Sequence, residues 1–418
     1  MSDRIGIVTG GGDCPGLNAV IRAVAKAAAK RGWETIGFLG GYEGILEPQQ
    51  YMELDYQELG PLLTRGGTIL GTANRGRFSA KVGHGETRRL PRELIDGVKA
   101  GMEKQRIRGL VSIGGDGSLS IAQQLFEGGV PIVGVPKTID NDLPFTDSCP
   151  GYGSVVKHNA TVVMEVGIDV GSMATDDGSC CIIEVMGRSA GWIAGGTVLA
   201  KRGNPAAAPH IVLLPEIRYD MEALLAKIKE VVEAYRYCVM VVGEGLKDQE
   251  GKEIGADVTR LDSFGHPVLA GAAEKLKEHV QGRLNTKTRT VILGYAQRAA
   301  GHSASLTDID NAFACGEAAV RAAVDGQSGF MVKIVRSLRE DGTMAWSTGL
   351  HPLAEVANVE HFVPRDWVSE DGFMPNEKFI EYVRPLVEGE VKVPMDGGLP
   401  KYVTLEKSPV ERKLPPRA

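Results

Sequence analysis

The chain has 418 residues, 43% hydrophobic and 24% charged, with a net charge of −6 and an isoelectric point near 5.9. That size suits one large domain or two ordinary ones, and the acidic balance argues against nucleic acid as the main partner. No apolar run reaches signal-peptide or membrane-span length, and the six scattered cysteines form no CxxC pair, so a membrane partner, a disulfide framework and a zinc site are set aside in favour of a cytoplasmic protein.

The 54 glycines gather in short runs beside apolar stretches, which suggests tight strand-to-helix turns. Residues 4–10 (RIGIVTG) read as a strand, 10–16 (GGGDCPG) as a glycine loop, and 17–32 as an alanine-rich helix closed by Gly32. A second strand (ETIGFLGG) completes a parallel βαβ unit. The pattern returns over 107–136 (IRGLVSIGGDGSLSIAQQLFEGGVPIVGVP). Further strands are predicted at CCIIEVMG, HIVLLPE, YCVMVVGEG and RTVILGY, with helices at MEALLAKIKEVVEAYR and NAFACGEAAVRAAVDG. The reading is α/β: two three-layer α/β/α lobes with mainly parallel sheets, and ligands bound beyond the carboxyl ends of the strands.

The first glycine loop fails two familiar patterns. As a dinucleotide fingerprint it has Pro15 where the third glycine belongs, and as a P-loop it has Leu17 and Asn18 in place of Lys and Ser/Thr. It can still cradle phosphate at a helix N-terminus, or be a plain turn with Asp13 as the helix cap. In the second loop (GGDGS, 114–118), bare glycines let a ligand lie on the backbone, and Asp116 offers one carboxylate to a magnesium ion on nucleotide phosphates. The stretch PKTIDND (136–142) crowds Lys137, Thr138, Asp140, Asn141 and Asp142 at a strand end, more functional groups than a turn needs.

Taken together, GGGDCPGLNAVIR, GGDGS, PKTIDND, EVMGR (184–188), LLPE (213–216), GEG (243–245) and RTVILGYAQR resemble the phosphofructokinase family over about residues 5–300. The resemblance implies an Mg²⁺-dependent transfer of phosphate to the C1 hydroxyl of fructose 6-phosphate, in a cleft between the lobes. It makes Asp140 the catalytic base, with Lys137 and Arg188 as its catalytic companions. Donor binding falls to Gly12, Arg75 (with Arg77 as rival), Gly115, Asp116, Gly117 and Ser118, and the metal to Asp116. Sugar-phosphate binding falls to Thr138, Asp140, Asp142, Met186, Gly187, Arg188, Glu244, Arg289, Tyr295 and Arg298. Arginine suits phosphate because its planar fork donates two parallel hydrogen bonds.

Several positions depart from the family pattern. Tyr295 stands where histidine is usual, and Ser179 where short bacterial members carry an arginine reaching into a neighbouring subunit. Residues 146–160 look closer to the pyrophosphate-using branches. Gly117 is the ATP-type residue, since an aspartate there would fill the space of the α-phosphate, whereas Lys137 is the pyrophosphate-type residue. Steric exclusion is the harder constraint, so ATP is the expected donor and pyrophosphate the alternative. A non-catalytic sugar-phosphate-sensing subunit is disfavoured by the presence of Asp116, Asp140 and Arg188. The expected division is 1–151 with about 298–346 as the donor lobe, and 152–297 with about 347–418 as the sugar-phosphate lobe. A homodimer or homotetramer is expected, and the chain beyond about residue 330 carries no interpretable motif.

Overall fold

The computed structural model describes residues 2–72, 76–78, 81–82, 86–87, 89–174, 178–261, 267–269 and 271–402. The first sheet uses β1 (Arg4–Thr9), β2 (Glu34–Phe38), β3 (Tyr51–Glu53), β4 (Ile107–Gly114) and β5 (Ile132–Pro136). The second uses β6 (Ser179–Val185), β7 (Ile211–Leu213), β8 (Tyr237–Gly243) and β9 (Lys287–Ile292). A late hairpin of β10 (Phe330–Leu338) and β11 (Met344–Pro352) returns to the first sheet. The strand orders are β11-β10-β5-β4-β1-β2-β3 and β9-β6-β8-β7. The second sheet is wholly parallel. In the first, only the outer pairs β10–β11 and β2–β3 run antiparallel.

Central parallel strands are covered on both faces, so they read as unbroken apolar runs. Every residue of β5 and of β6 is buried. The crossover helices are α1 (Leu17–Ala29), α2 (Arg92–Lys104), α3 (Asp116–Glu127) and α4 (Tyr152–Ser172), then the short α5 (Trp192–Gly196), α6 (Met221–Tyr235), α7 (Ala272–Leu284) and α8 (Leu306–Val324). One contiguous core joins the two sheets, including Ile5, Val111 and Val133 from the first and Ile183, Val239 and Val241 from the second. No described helix is long and apolar enough to cross a membrane.

Residues 330–386, which carry no interpretable motif, are built into this frame. Strand β11 carries the first sheet to Pro352, past the division expected near 346. Residues 361–386 then lay an aromatic cluster on Trp192, which is 1% exposed. The ring centroids of His361, Phe379 and Tyr382 lie 5.0, 5.8 and 5.3 Å from that of Trp192. The indole Nε1 donates to His361 O at 2.9 Å, so the polar edge of the buried ring is satisfied.

Helix α4 meets this C-terminal segment at Gly153, where a Cβ would collide with the carbonyl oxygen of Leu386. Gly153→Ala gains up to about 1 kcal/mol of helix propensity, but overpacking costs about 1–3 kcal/mol and prevails. Urea unfolding should show a lower midpoint with an unchanged slope; a raised midpoint would mean that the Leu386 segment yields freely.

Candidate active site

In the first sheet the chain leaves β1 in one direction to β2 and in the other through β4 to β5, so the order reverses between β1 and β4. Loops diverge at such a point and leave a crevice beyond the carboxyl ends. The two glycine loops flank it. The N–H of Gly10 donates to Ile113 O at 2.9 Å, and a Cβ at Gly10 would strike the Ser118 hydroxyl. The loops therefore interlock only because position 10 has no side chain. Gly115 caps α3 and Asp116 opens its first turn, where the helix dipole favours negative charge. An Asp116 carboxylate oxygen accepts the N–H of Asn358 at 2.5 Å. Beside it, a Cβ at Gly117 would meet no atom of the described residues within 4 Å.

Asp13 does not cap α1: the N-cap is Gly16, at φ 88°, and no side chain bonds there. Arg75 lies outside the described residues. Its rival Arg77 forms an ion pair with Glu43 at 2.7 Å.

Lys137 is 3% exposed rather than directed to solvent. Its N–H donates to Gly114 O at 3.0 Å, and its amine reaches across to Gly12 O at 2.6 Å. Burial pulls its pKa below the ordinary lysine value. The Thr138 hydroxyl accepts the N–H of Asp140 at 3.1 Å. Asn141 follows at φ 55°, in the left-handed region that asparagine tolerates better than most residues. Its carbonyl accepts from Cys149 N at 2.9 Å, and its amide donates to the Tyr382 hydroxyl at 2.8 Å.

The two flanking carboxylates are electrostatically strained. Burial, then Glu244, pushes Asp140 up to about 6, against the opposing pull of Arg298 and Lys137. Burial, then Asp140, pushes Asp142 up to about 7, with Asp116 and Glu360 adding repulsion. The arrangement gathers carboxylates on one side and sets two cations, Lys137 and Arg298, against Asp140.

The second sheet supplies the facing wall. Met186 follows β6, half-buried against the main core, and Gly187 turns at φ 116°. The Gly187 backbone holds Glu244, whose pKa is raised by burial and then by Glu184. Arg188 pairs with Glu253 at 3.9 Å, and a Cβ at Gly245 would collide with its carbonyl oxygen. Arg298 approaches the first glycine loop, its guanidinium 3.1 Å from where a Gly12 Cβ would sit. Its Nε is buried with no hydrogen-bond partner among the described residues, a deficit that a phosphate or sugar oxygen would relieve. Tyr295 is 77% exposed and lies over Arg298, with the guanidinium 5.2 Å from its ring centroid. Arg289 stands opposite Cys181 in the β9–β6 register, and no hydrogen bond or ion pair among the described residues ties it to the cluster.

Sequence reading missed the segment after β11. Besides Asn358, the N–H of His361 donates to Asp142 O at 2.8 Å, and Glu360 carries a further negative charge toward Asp140 and Asp142. No spacing or motif in 353–387 signals these contacts, because each is made by backbone or by charge at a distance.

A family model described as phosphofructokinase matches residues 4–323. The pyrophosphate–fructose 6-phosphate 1-phosphotransferase of Halomonas elongata is 44% identical over 307 residues, 72% of each chain. The ATP-dependent 6-phosphofructokinase 3 of Streptomyces coelicolor is 40% identical over 300 residues, 71% of this chain and 80% of that one. The crystal structure of a pyrophosphate-dependent phosphofructokinase from Marinobacter aquaeolei matches with a TM-score of 0.84 at 31% identity, covering 99% of this chain and 98% of its own.

A carboxyl held above its unfolded value binds its proton more tightly in the folded state. Asp142 therefore opposes folding increasingly as pH rises from about 4 to about 7. Asp142→Asn should raise the melting temperature of the ligand-free protein at pH 8 and leave it little changed at pH 4. An equal shift at both pH values would show that charge is not the cause.

Proposed function

The chain belongs to the phosphofructokinase family, phosphotransferases acting on fructose 6-phosphate, and we propose that its donor is Mg-ATP and its product fructose 1,6-bisphosphate. The observation that carries the donor assignment is the open space beside Gly117, directly after the Asp116 carboxylate. An α-phosphate with its nucleoside needs that volume, whereas pyrophosphate ends before it.

Asp140 takes the proton from the C1 hydroxyl as that oxygen bonds to the γ-phosphorus and the bond to the β–γ bridging oxygen breaks. A pKa near 6 suits a base that must be ionised at neutral pH yet accept a proton in the transition state. Lys137, anchored on Gly12 O, and Arg298 supply fixed positive charge beside the reacting groups. Glu244 accepts from sugar hydroxyls, Arg188 and Arg298 bind phosphate, and Met186 and Gly187 shape the sugar pocket. Arg289 and Tyr295 have the weakest structural support for substrate contact.

Among the described residues no three ligating side chains converge to hold a metal unaided. Magnesium is commonly held by one or two carboxylates plus substrate phosphates. Asp116, with Asp142 close enough to feel its charge, fits that donor set. When bound, the ion neutralises the phosphates of the donor.

Pyrophosphate is the second reading. It is favoured by Lys137 and by the pyrophosphate-dependent relatives in both sequence and structure. Fructose 1,6-bisphosphate formation, measured in parallel with ATP and with pyrophosphate, tests the choice. ATP is expected to support turnover; activity with pyrophosphate alone would overturn the assignment. Gly117→Asp should abolish use of ATP by filling the open space. Asp140→Ala should lower turnover by about 10²–10⁴ while the protein stays folded; near-full activity would remove Asp140 from the mechanism.

A further inference from the structure

Asp140 and Asp142 stand on either side of one residue, so the conformation of Asn141 decides where both carboxylates point. Asn141 is 2% exposed and left-handed at φ 55°. Side-chain hydrogen bonds hold it on both sides. One links its carbonyl to Cys149 N, close along the chain; the other links its amide to the hydroxyl of Tyr382, 241 residues away.

The Tyr382 hydroxyl uses its donor and its acceptor capacity at once. It accepts from Asn141 at 2.8 Å and donates to Asp147 O at 2.6 Å. Asp147 is itself fixed, with its N–H on Ile334 O at 3.0 Å and its carboxylate paired with Arg336 at 2.8 Å. Arg336 lies 4.6 Å from the Tyr382 ring centroid and donates to the Tyr382 carbonyl at 2.8 Å. The ring also abuts Trp192 and Trp367, each at 5.3 Å between centroids. A hydroxyl on a ring so restrained is a fixed point, and a fixed point bonded to the residue between two reacting carboxylates can set their geometry.

We propose that Tyr382 is a positioning residue for phosphoryl transfer: its hydroxyl, bridging Asp147 O and the Asn141 amide, fixes the turn on which Asp140 and Asp142 stand. This rests on the roles proposed above for those two carboxylates. It assigns a part in the chemistry to a C-terminal segment that carries no motif.

Tyr382→Phe removes the hydroxyl and keeps the ring, so the aromatic cluster survives. In this variant, backbone amides of residues 140–149 should exchange with solvent about tenfold faster, while β4 keeps its protection. With fructose 6-phosphate and the active donor, kcat should fall about 10- to 100-fold, with KM for the sugar phosphate within about twofold. The acid limb of the pH–rate profile should move, because a displaced Asp140 changes its distance from Lys137 and Arg298. In the background of Asn141→Gly, which keeps left-handed freedom and deletes the amide, adding Tyr382→Phe should lower kcat no further, the loss of the hydroxyl's bond to Asp147 O being read in the melting temperature alone.

Unchanged exchange in 140–149, a lowered melting temperature with unchanged kcat and pH profile, or additive losses of kcat in the double variant would each overturn the proposal by making Tyr382 a core residue only. Should the wild-type chain turn over neither donor, the functional reading falls, while the exchange measurement still decides whether Tyr382 holds the loop.

Discussion

Burial of the Asp140 and Asp142 carboxylates, sharpened by repulsion from Glu244 at the first and from Asp140 and Asp116 at the second, is the constraint around which the site is arranged. Water would screen these charges, but at the end of buried strands the dielectric is low and each ionised neighbour raises the cost of the next. The molecule offsets this cost with fixed groups. Lys137 and Arg298 oppose Asp140 from the side of the first glycine loop. Backbone N–H groups of Asn358 and His361 reach Asp116 and the Asp142 backbone from the C-terminal segment. The remaining strain appears as raised proton affinity in Asp140 and Asp142. A ligand that brings cations would release it, which is the usual relation between stored electrostatic strain and function.

Rigid support is needed because such a cluster would otherwise relax by moving apart. The support is the core cluster shared by the two sheets, against which the aromatic segment is fitted. Trp192 is its centre, packed by rings contributed from residues 361–382. The same segment that covers Trp192 also reaches Asp116, Asn141 and the Asp142 backbone. Packing energy gathered at one place thus holds polar geometry at another, and the turn that carries Asp140 and Asp142 is braced from both ends of the chain.

Donor choice sets two physical effects against each other. In the reading proposed above, the open volume at Gly117 is a steric permission, while the buried amine of Lys137 would contribute electrostatically to whichever phosphate is transferred. A permission excludes nothing smaller, so a site that accommodates ATP also has room for pyrophosphate. Discrimination then depends on how much binding energy the nucleoside adds.

Local sequence determined the elements and the chemistry-bearing loops. Apolar runs of strand length, glycine turns and an alanine-rich first helix each specify their own conformation over a few residues, and β1, α1, β4, α3 and β5 appear where that logic puts them. GGDGS and PKTIDND stood out as candidate site loops because several functional groups stand within a few positions of one another. Only the tertiary structure decided that Lys137 is buried on Gly12 rather than solvated, and that Asp13 leaves the cap of α1 to Gly16. It also decided that Asn358, His361 and Tyr382 belong beside the site. The reason is physical: backbone donors carry no side-chain signature, and a tyrosine in an aromatic helix looks like core until its hydroxyl is seen to have a partner 241 residues away.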